Sequence, residues 1–139
     1  MAKDPKLDRL HAVRLFSGCD KKELERLSAA IDTISVGPGA TLFRQGTVQH
    51  EAFIIESGEA EVAIDGAVIA TIPAGEMIGE IGLITRSPAT ATVTAKGDMS
   101  LLVIPHQRAE AILSDTPGLA WAIAKELAQR LRDTDARLQ

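Results

Sequence analysis

The chain has 139 residues, enough for one domain that buries about two-thirds of the surface its unfolded form exposes. Hydrophobic residues make up 45% of the sequence, which excludes an intrinsically disordered chain. The net charge is −4 and aromatic residues account for 3%, so we expect neither a basic face for nucleic-acid phosphates nor a platform for stacked bases.

Three further features of the sequence indicate a cytoplasmic protein. No apolar run approaches the length of about eighteen residues that a membrane-spanning helix needs. The first ten residues, MAKDPKLDRL, lack the apolar segment of a signal peptide. The single cysteine, Cys19, cannot form an internal disulfide, which fits a reducing compartment. We therefore predict a cytoplasmic location and no membrane partner.

Helices are predicted at the start of the chain, over residues 6–30. The second of them is expected to begin at Asp20, because Asp20-Lys21-Lys22-Glu23 resembles a capping box, in which both end side chains accept backbone hydrogen bonds. Each predicted helix carries apolar residues on one face, namely Leu7 and Leu10 in the first and Leu24, Leu27 and Ile31 in the second.

The pattern changes over residues 32–104, where short apolar runs alternate with glycine-containing turns. Such spacing indicates a β sandwich, roll or barrel. The clearest hairpin covers residues 62–69, because its central Asp65-Gly66 pair accepts the positive φ angles of a two-residue turn. One face of the first hairpin strand is predicted to be buried, since Ala60, Val62 and Ile64 alternate with Glu59, Glu61 and Ala63.

Helices are predicted again after Pro105, over about residues 106–137. A short helical piece around residues 108–113 precedes a longer helix from about Leu119 to Arg137. Two interpretations of the longer helix stay open: its apolar stripe packs on the β region, or it forms the seam of a homodimer. The stripe consists of Ile123, Leu127, Leu131 and Leu138.

Catalysis and metal binding have little support in the sequence. His11, His50 and His106 lie in a predicted helix, a loop and a turn, so the metal-binding cupin, the main β-barrel enzyme alternative, lacks its ligand spacing. Cys19 has no base beside it, and Ser57 lacks the glycines of a nucleophile elbow. We predict no enzyme activity and no cofactor.

One segment is different in character, because it places a carboxylate between two glycines inside an apolar run. Gly79 and Gly82 let the backbone bend, and residues 80–84 can form one helical turn whose free amides attract an anion. Glu80 suits a hydroxyl that donates to it, so a ligand with both a phosphate and a ribose would satisfy both features. The alternative is a glycine-rich turn with a solvated glutamate.

The order of these motifs resembles the cyclic-nucleotide-binding domain family of catabolite activator protein and cyclic-nucleotide-gated channels. The resemblance covers residues 13–134 and implies one domain, 1–139, that is mainly β: a β roll (a double-stranded, jelly-roll-like β-helix) with N- and C-terminal helices. The motifs that carry it are Leu15-Phe16, Glu23-Leu24, Val36-Gly37-Pro38-Gly39, Arg44-Gln45-Gly46, Phe53-Ile54-Ile55-Glu56-Ser57-Gly58 and the cassette from Gly75 to Ile84.

The resemblance also implies a site for cAMP or cGMP. In the family a cassette glutamate accepts the ribose 2′-hydroxyl and nearby backbone amides hold the cyclic phosphate. These roles carry onto Glu80 and onto Gly79, Ile81 and Gly82. The segment Arg130-Leu131-Arg132-Asp133-Thr134-Asp135 resembles the start of the family's hinge helix, and Thr134 falls where that helix contacts the base.

The chain departs from the family just after the cassette. The family has Pro-Arg-x-Ala-x-Val, whose arginine pairs with the phosphate, whereas this chain has Pro88-Ala89-Thr90-Ala91-Thr92-Val93. Strand alternation puts Ala89 on the pocket face with Ala91. Arg86 is the candidate replacement cation, with a solvated loop charge as the alternative, and Thr90 can donate its hydroxyl to the phosphate.

The resulting prediction is a non-enzymatic sensor that binds cAMP or cGMP weakly. The alternative is a degenerate domain that binds an unknown protein partner without a nucleotide. DNA binding is not expected, because the chain is acidic and reaches Gln139 without a helix-turn-helix domain.

Overall fold

The computed structural model describes residues 5–138, except the side chains of Ile81, Leu83 and Ile84 and those of residues 134–138. The chain begins with helix α1 (Pro5–His11), a 3-10 turn (Arg14–Phe16) and helix α2 (Lys21–Ala30). The predicted capping box is confirmed: Asp20 accepts from the backbone N–H of Glu23 at 2.8 Å, and the Glu23 side chain accepts from the N–H of Asp20.

Eight antiparallel strands follow, arranged in two four-stranded sheets, and they confirm the predicted mainly β fold with flanking helices. The first sheet has the order β1-β8-β3-β6 and the second has the order β2-β7-β4-β5. The strands are β1 (Asp32–Val36), β2 (Thr41–Phe43), β3 (Glu51–Ser57), β4 (Ala60–Ile64), β5 (Ala67–Ile72), β6 (Met77–Ile78), β7 (Thr92–Ala95) and β8 (Met99–Pro105).

The first sheet is the middle layer of the molecule. Successive strand side chains point to opposite faces, so Ala52 and Ile54 of β3 pack in the helical core while Phe53 and Ile55 pack between the sheets. Strand β8 alternates in the same way. The continuous apolar runs of β3 and β8 thus reflect a sheet that is covered on both faces.

The predicted hairpin is formed by β4 and β5, with φ angles of 51° at Asp65 and 84° at Gly66. The predicted burial of one β4 face is only partly right: Ala60 is buried and Val62 half-buried, but Ile64 is exposed. Strand β5 is an edge strand of its sheet and is exposed over most of its length. Alternation therefore identified the strand but not how far the core reaches along it.

Helix α3 (Glu80–Thr85) lies between β6 and β7, and after β8 come a 3-10 turn (His106–Arg108), helix α4 (Ala109–Asp115) and helix α5 (Pro117–Leu138). Helix α5 packs against α4 and the first 3-10 turn, and Ile123 and Leu127 contribute to the helical core. The predicted stripe is wrong at Leu131, which is 63% exposed. Eight residues advance a helix by about 80° beyond full turns, so Leu131 leaves the face of Ile123. The side chain of Leu138 lies outside the described residues.

Within residues 5–138, none of the helices is long and apolar enough to cross a membrane.

Gly58, in the turn between β3 and β4, is expected to resist substitution. Its φ is +92°, and an added Cβ would lie 2.5 Å from the carbonyl oxygen of Asp98. Gly66 has a similar φ of +84° but open space around it, so Gly66→Ala is the matched control. Gly66→Ala should cost about 1–2 kcal/mol of unfolding free energy from backbone strain. Gly58→Ala should cost roughly 1–3 kcal/mol more from the clash. Urea unfolding measures both, and equal losses would contradict the clash.

Cys19 is half-buried beside the helical core, and its thiol is expected to react slowly. Burial raises its pKa to about 11, and the carboxylates of Glu23 and Asp20 add to the rise. The thiolate is the reactive form, so iodoacetamide at pH 8 should alkylate the folded protein roughly a hundredfold more slowly than the urea-unfolded chain. Mass spectrometry follows the reaction, and equal rates would show that Cys19 is accessible and ionised normally.

Candidate functional site

The cassette is a tight reversal from β6 into helix α3 (Glu80–Thr85), in agreement with the predicted helical turn. Gly79 caps α3 with a φ of 83°, and an added Cβ would lie 2.4 Å from the Phe43 ring. Both the backbone angle and the space therefore require glycine here. This geometry places Glu80 at the first position of α3, where it is 6% exposed.

A cavity of about 460 Å³ lies beside the cassette. Its walls come from the cassette, the loop before β7, strands β2, β4, β5 and β7, Gln49, and one residue of α5. Most of the lining is apolar, with Phe43, Val62 and Ile72 among its members, and the acidic residues are Glu76 and Glu80. A mostly apolar cavity with a few polar groups is typical of a small-molecule site.

Most of the residues predicted for the site from the sequence line this cavity together. They are Gly79, Glu80, Gly82, Ala89, Thr90 and Ala91. Arg86 ends α3 with a φ of 58°, and its side chain is exposed and does not line the cavity. Ile81 follows Glu80 in α3, but its side chain, like that of Thr134, lies outside the described residues.

The loop that carries Ala89 is held by backbone hydrogen bonds before a regular strand begins. The N–H of Ala89 donates to the carbonyl of Thr47 at 3.0 Å, and its carbonyl accepts from Gly46 at 2.8 Å. Strand β7 starts only at Thr92, later than the alternation suggested. Ala89 nevertheless packs against the core between the sheets, as Val93 does, so the position lies at the cavity wall.

Sequence reasoning gave no role to Arg130, although this residue faces the cassette glutamate. Arg130 of α5 donates a hydrogen bond from Nη1 to Oε1 of Glu80 and forms an ion pair with it. Its Nη2 also lies 3.9 Å from Oε2 of Glu76. The Arg130 side chain is 42% exposed while Glu80 is buried, so the pair reaches from the cavity wall to solvent on the side of α5.

The ion pairs continue away from the cavity. Arg14, in the first 3-10 turn, lies 3.7 Å from Glu76 and 3.0 Å from Glu126 of α5. Acidic and basic groups therefore alternate in the order Glu80, Arg130, Glu76, Arg14 and Glu126. We call this chain of groups the charge ladder. It joins the cassette, α5 and the N-terminal turn.

A signal for Arg130 was present in the sequence. Arg130 lies about two turns after Ile123 on the same side of α5, because Ile123, Leu127 and Arg130 stand at positions i, i+4 and i+7. A cation at the next position of an inward apolar face indicates a buried anionic partner. Which anion it meets cannot be read from the helix itself.

The remaining candidate groups are the side chains that could bind a metal ion. Among the residues that the structure describes, no group of three or more His, Cys, Asp or Glu side chains could hold a metal ion. The backbone N–H of His106 donates to the carbonyl of His50 at 2.8 Å.

Comparison with known proteins gives the same assignment from the sequence and from the fold. The chain is 34% identical over 93 residues to the cAMP-dependent protein kinase regulatory subunit of Schizosaccharomyces pombe, covering 66% of this chain and 23% of that protein. It is 33% identical over 126 residues to acetyltransferase Pat of Mycolicibacterium smegmatis, covering 88% and 38%. The chain thus spans well under half the length of these two curated relatives.

A solved structure shares the fold across most of the chain. Catabolite activator protein from Thermus thermophilus superposes with a TM-score of 0.80 at 26% identity, covering 89% of this chain and 61% of that one. The family model for the cyclic nucleotide-binding domain matches residues 33–116, more than half of the chain and including the whole cassette. The resemblance drawn from the motifs is therefore confirmed, and this chain belongs to the cyclic nucleotide-binding domain family.

Proposed function

We propose that this chain is a regulatory module without chemistry of its own that binds cAMP or cGMP weakly. The observation that carries the proposal is the position of Glu80, a buried carboxylate on the wall of a cavity of about 460 Å³ beside the cassette. A cavity of roughly 300–1,000 Å³ suits a small ligand that becomes largely buried.

Each part of the site has a role in this proposal. Glu80 accepts the ribose 2′-hydroxyl, since a carboxylate accepts hydrogen bonds and a hydroxyl donates them. Backbone groups of Gly79, Ile81 and Gly82 hold the cyclic phosphate, and the hydroxyl of Thr90 adds a donor. The S. pombe relative supports the choice of ligand class, because its name records dependence on cAMP. Thr134 contacts the base in this proposal.

Binding is weak because Ala89 stands where the family carries its phosphate-binding arginine. A hydrogen bond to a charged group contributes about 1.5–3 kcal/mol, so its loss lowers affinity roughly ten- to a hundredfold. The neighbouring backbone groups and Glu80 remain in place. The cavity therefore keeps its shape while it lacks one strong contact.

The proposal assigns no catalytic step to this chain. The M. smegmatis relative is an acetyltransferase by name, but the chain covers 38% of it, so that activity is not transferred. The cytoplasmic location and the lack of DNA binding remain predictions.

A second candidate function is a protein-interaction module, and the outer face of α5 favours it. Trp121 is 66% exposed and Leu131 63% exposed, with the exposed residues Ala124 and Ala128 between them on the same face. This face, rather than the inward Ile123 and Leu127, would contact a protein partner or form a homodimer seam. A flat calorimetric titration with cAMP and cGMP at millimolar concentration would favour this candidate.

Restoring the cation at position 89 tests the proposed function. Ala89 lines the cavity, so Ala89→Arg should raise affinity for cAMP or cGMP at least tenfold in isothermal titration calorimetry. Arg86→Ala is the companion test of the predicted replacement cation: Arg86 is exposed and does not line the cavity, so we expect affinity to stay unchanged, and a further drop would show that Arg86 reaches the phosphate. A folded Ala89→Arg variant with no gain in affinity would mean that the site has lost more than this contact.

Glu80→Gln should weaken both nucleotide binding and folding. The change removes the acceptor charge proposed to hold the ribose and weakens the ion pair with Arg130. Because glutamine keeps the shape and Arg130 is partly solvated, we expect a loss of about 1–2 kcal/mol in unfolding free energy. Glu25→Gln, on the exposed face of α2, is the control for charge alone. Unchanged stability in chemical denaturation would show that the ion pair contributes little.

A further inference from the structure

The cavity is lined by a cation, Arg130, which belongs to helix α5 and not to the loop where the family motif carries its arginine. Among the described residues of the lining, Arg130 is the single basic side chain, and it stands beside the two carboxylates of Glu76 and Glu80. The cassette loop contributes Ala89 instead of a cation. Helix α5 therefore brings to the cavity the positive charge that the loop lacks.

Arg130 is paired with Glu80, the carboxylate that accepts the ligand hydroxyl in the proposed function. Glu80 is buried and donates nothing when ionised, so its carboxylate must accept hydrogen bonds from some donor. Arg130 is that donor in this structure. A hydroxyl that approaches Glu80 competes with the guanidinium, and a guanidinium displaced from Glu80 is stabilised by another anion within its reach.

An anionic ligand supplies that anion. We propose that Arg130 is the phosphate-binding cation of this site: on binding, it exchanges its partner, from Glu80 to the ligand phosphate, while Glu80 takes the ligand hydroxyl. This inference rests on the proposed function and adds which residue recognises the anion. In this exchange Arg130 keeps an anionic partner, because the phosphate replaces Glu80, and Glu80 keeps a hydrogen-bond donor, because the hydroxyl replaces the guanidinium.

The exchange distinguishes a phosphate-bearing ligand from a neutral one. A nucleoside without phosphate takes the Glu80 acceptor but offers Arg130 no anion. Glu76, which lies 3.9 Å from Arg130, is already shared with Arg14 at 3.7 Å. A cyclic nucleotide gives Arg130 a full negative charge in return. The preference for cyclic nucleotide over nucleoside should thus depend on a residue of α5.

The experiment compares cAMP with adenosine by isothermal titration calorimetry, using the full chain. In the wild type, cAMP should bind at least tenfold more tightly than adenosine. Arg130→Ala should reduce this ratio at least tenfold, through weaker cAMP binding, whereas Arg130→Lys should keep part of it. Arg132→Ala is the control, because Arg132 is an exposed cation on the same helix that does not line the cavity.

A rescue separates phosphate recognition from a merely structural effect. The double variant Ala89→Arg/Arg130→Ala should regain the ratio, since the cation returns from the loop side of the cavity. If Arg130→Ala does not fold, as judged by circular dichroism, Arg130→Gln takes its place, because it keeps a donor for Glu80 without the charge.

The outcomes separate this inference from the proposed function. If the wild type binds neither cAMP nor cGMP, both fail. If it binds cAMP but the ratio is unchanged in Arg130→Ala, or cAMP binds more tightly to that variant, only the role of Arg130 is overturned. If cAMP binds more tightly to Arg130→Ala, Arg130 competes with the ligand hydroxyl for Glu80 and does not bind the phosphate.

Discussion

A carboxylate that is removed from water must be matched by a charge or by donors, and in this molecule that constraint falls on Glu80. The match comes from Arg130, fifty positions further along the chain. Because the two groups are paired, the C-terminal helix lies across the cassette and one wall of the cavity belongs to α5. The arrangement of the site therefore depends on how one buried charge is neutralised.

The charge ladder extends that dependence to the start of the chain. Glu76 is shared by Arg130 and Arg14, and Arg14 is shared by Glu76 and Glu126. Ion pairs with partly exposed arginines contribute little one at a time. These ion pairs are nevertheless coupled, because a side chain that belongs to two pairs and moves closer to one partner moves away from the other. The pairing of Glu80 is thus connected to the N-terminal turn through Arg130 and Glu76, which both line the cavity.

The parts of the fold that sequence could predict are those fixed by neighbouring residues. Asp20 and Glu23 form a capping box from adjacent positions, and Asp65-Gly66 fixes a hairpin through its own backbone angles. Six cassette and loop residues were likewise placed together because one continuous segment carries them. Arg130 could not be assigned to Glu80, and Leu131 was misplaced, because both depend on how far α5 extends over the rest of the molecule.

The middle position of the first sheet has a consequence for how the molecule opens. Strands β3 and β8 give alternate side chains to the helical core and to the core between the sheets, so neither core is complete without them. Local opening that separates the helices from the first sheet must disturb these strands, and it therefore also disturbs the packing of the second sheet. A ligand that stabilises the native state at the cassette should therefore slow amide hydrogen exchange in the helices and in the second sheet together.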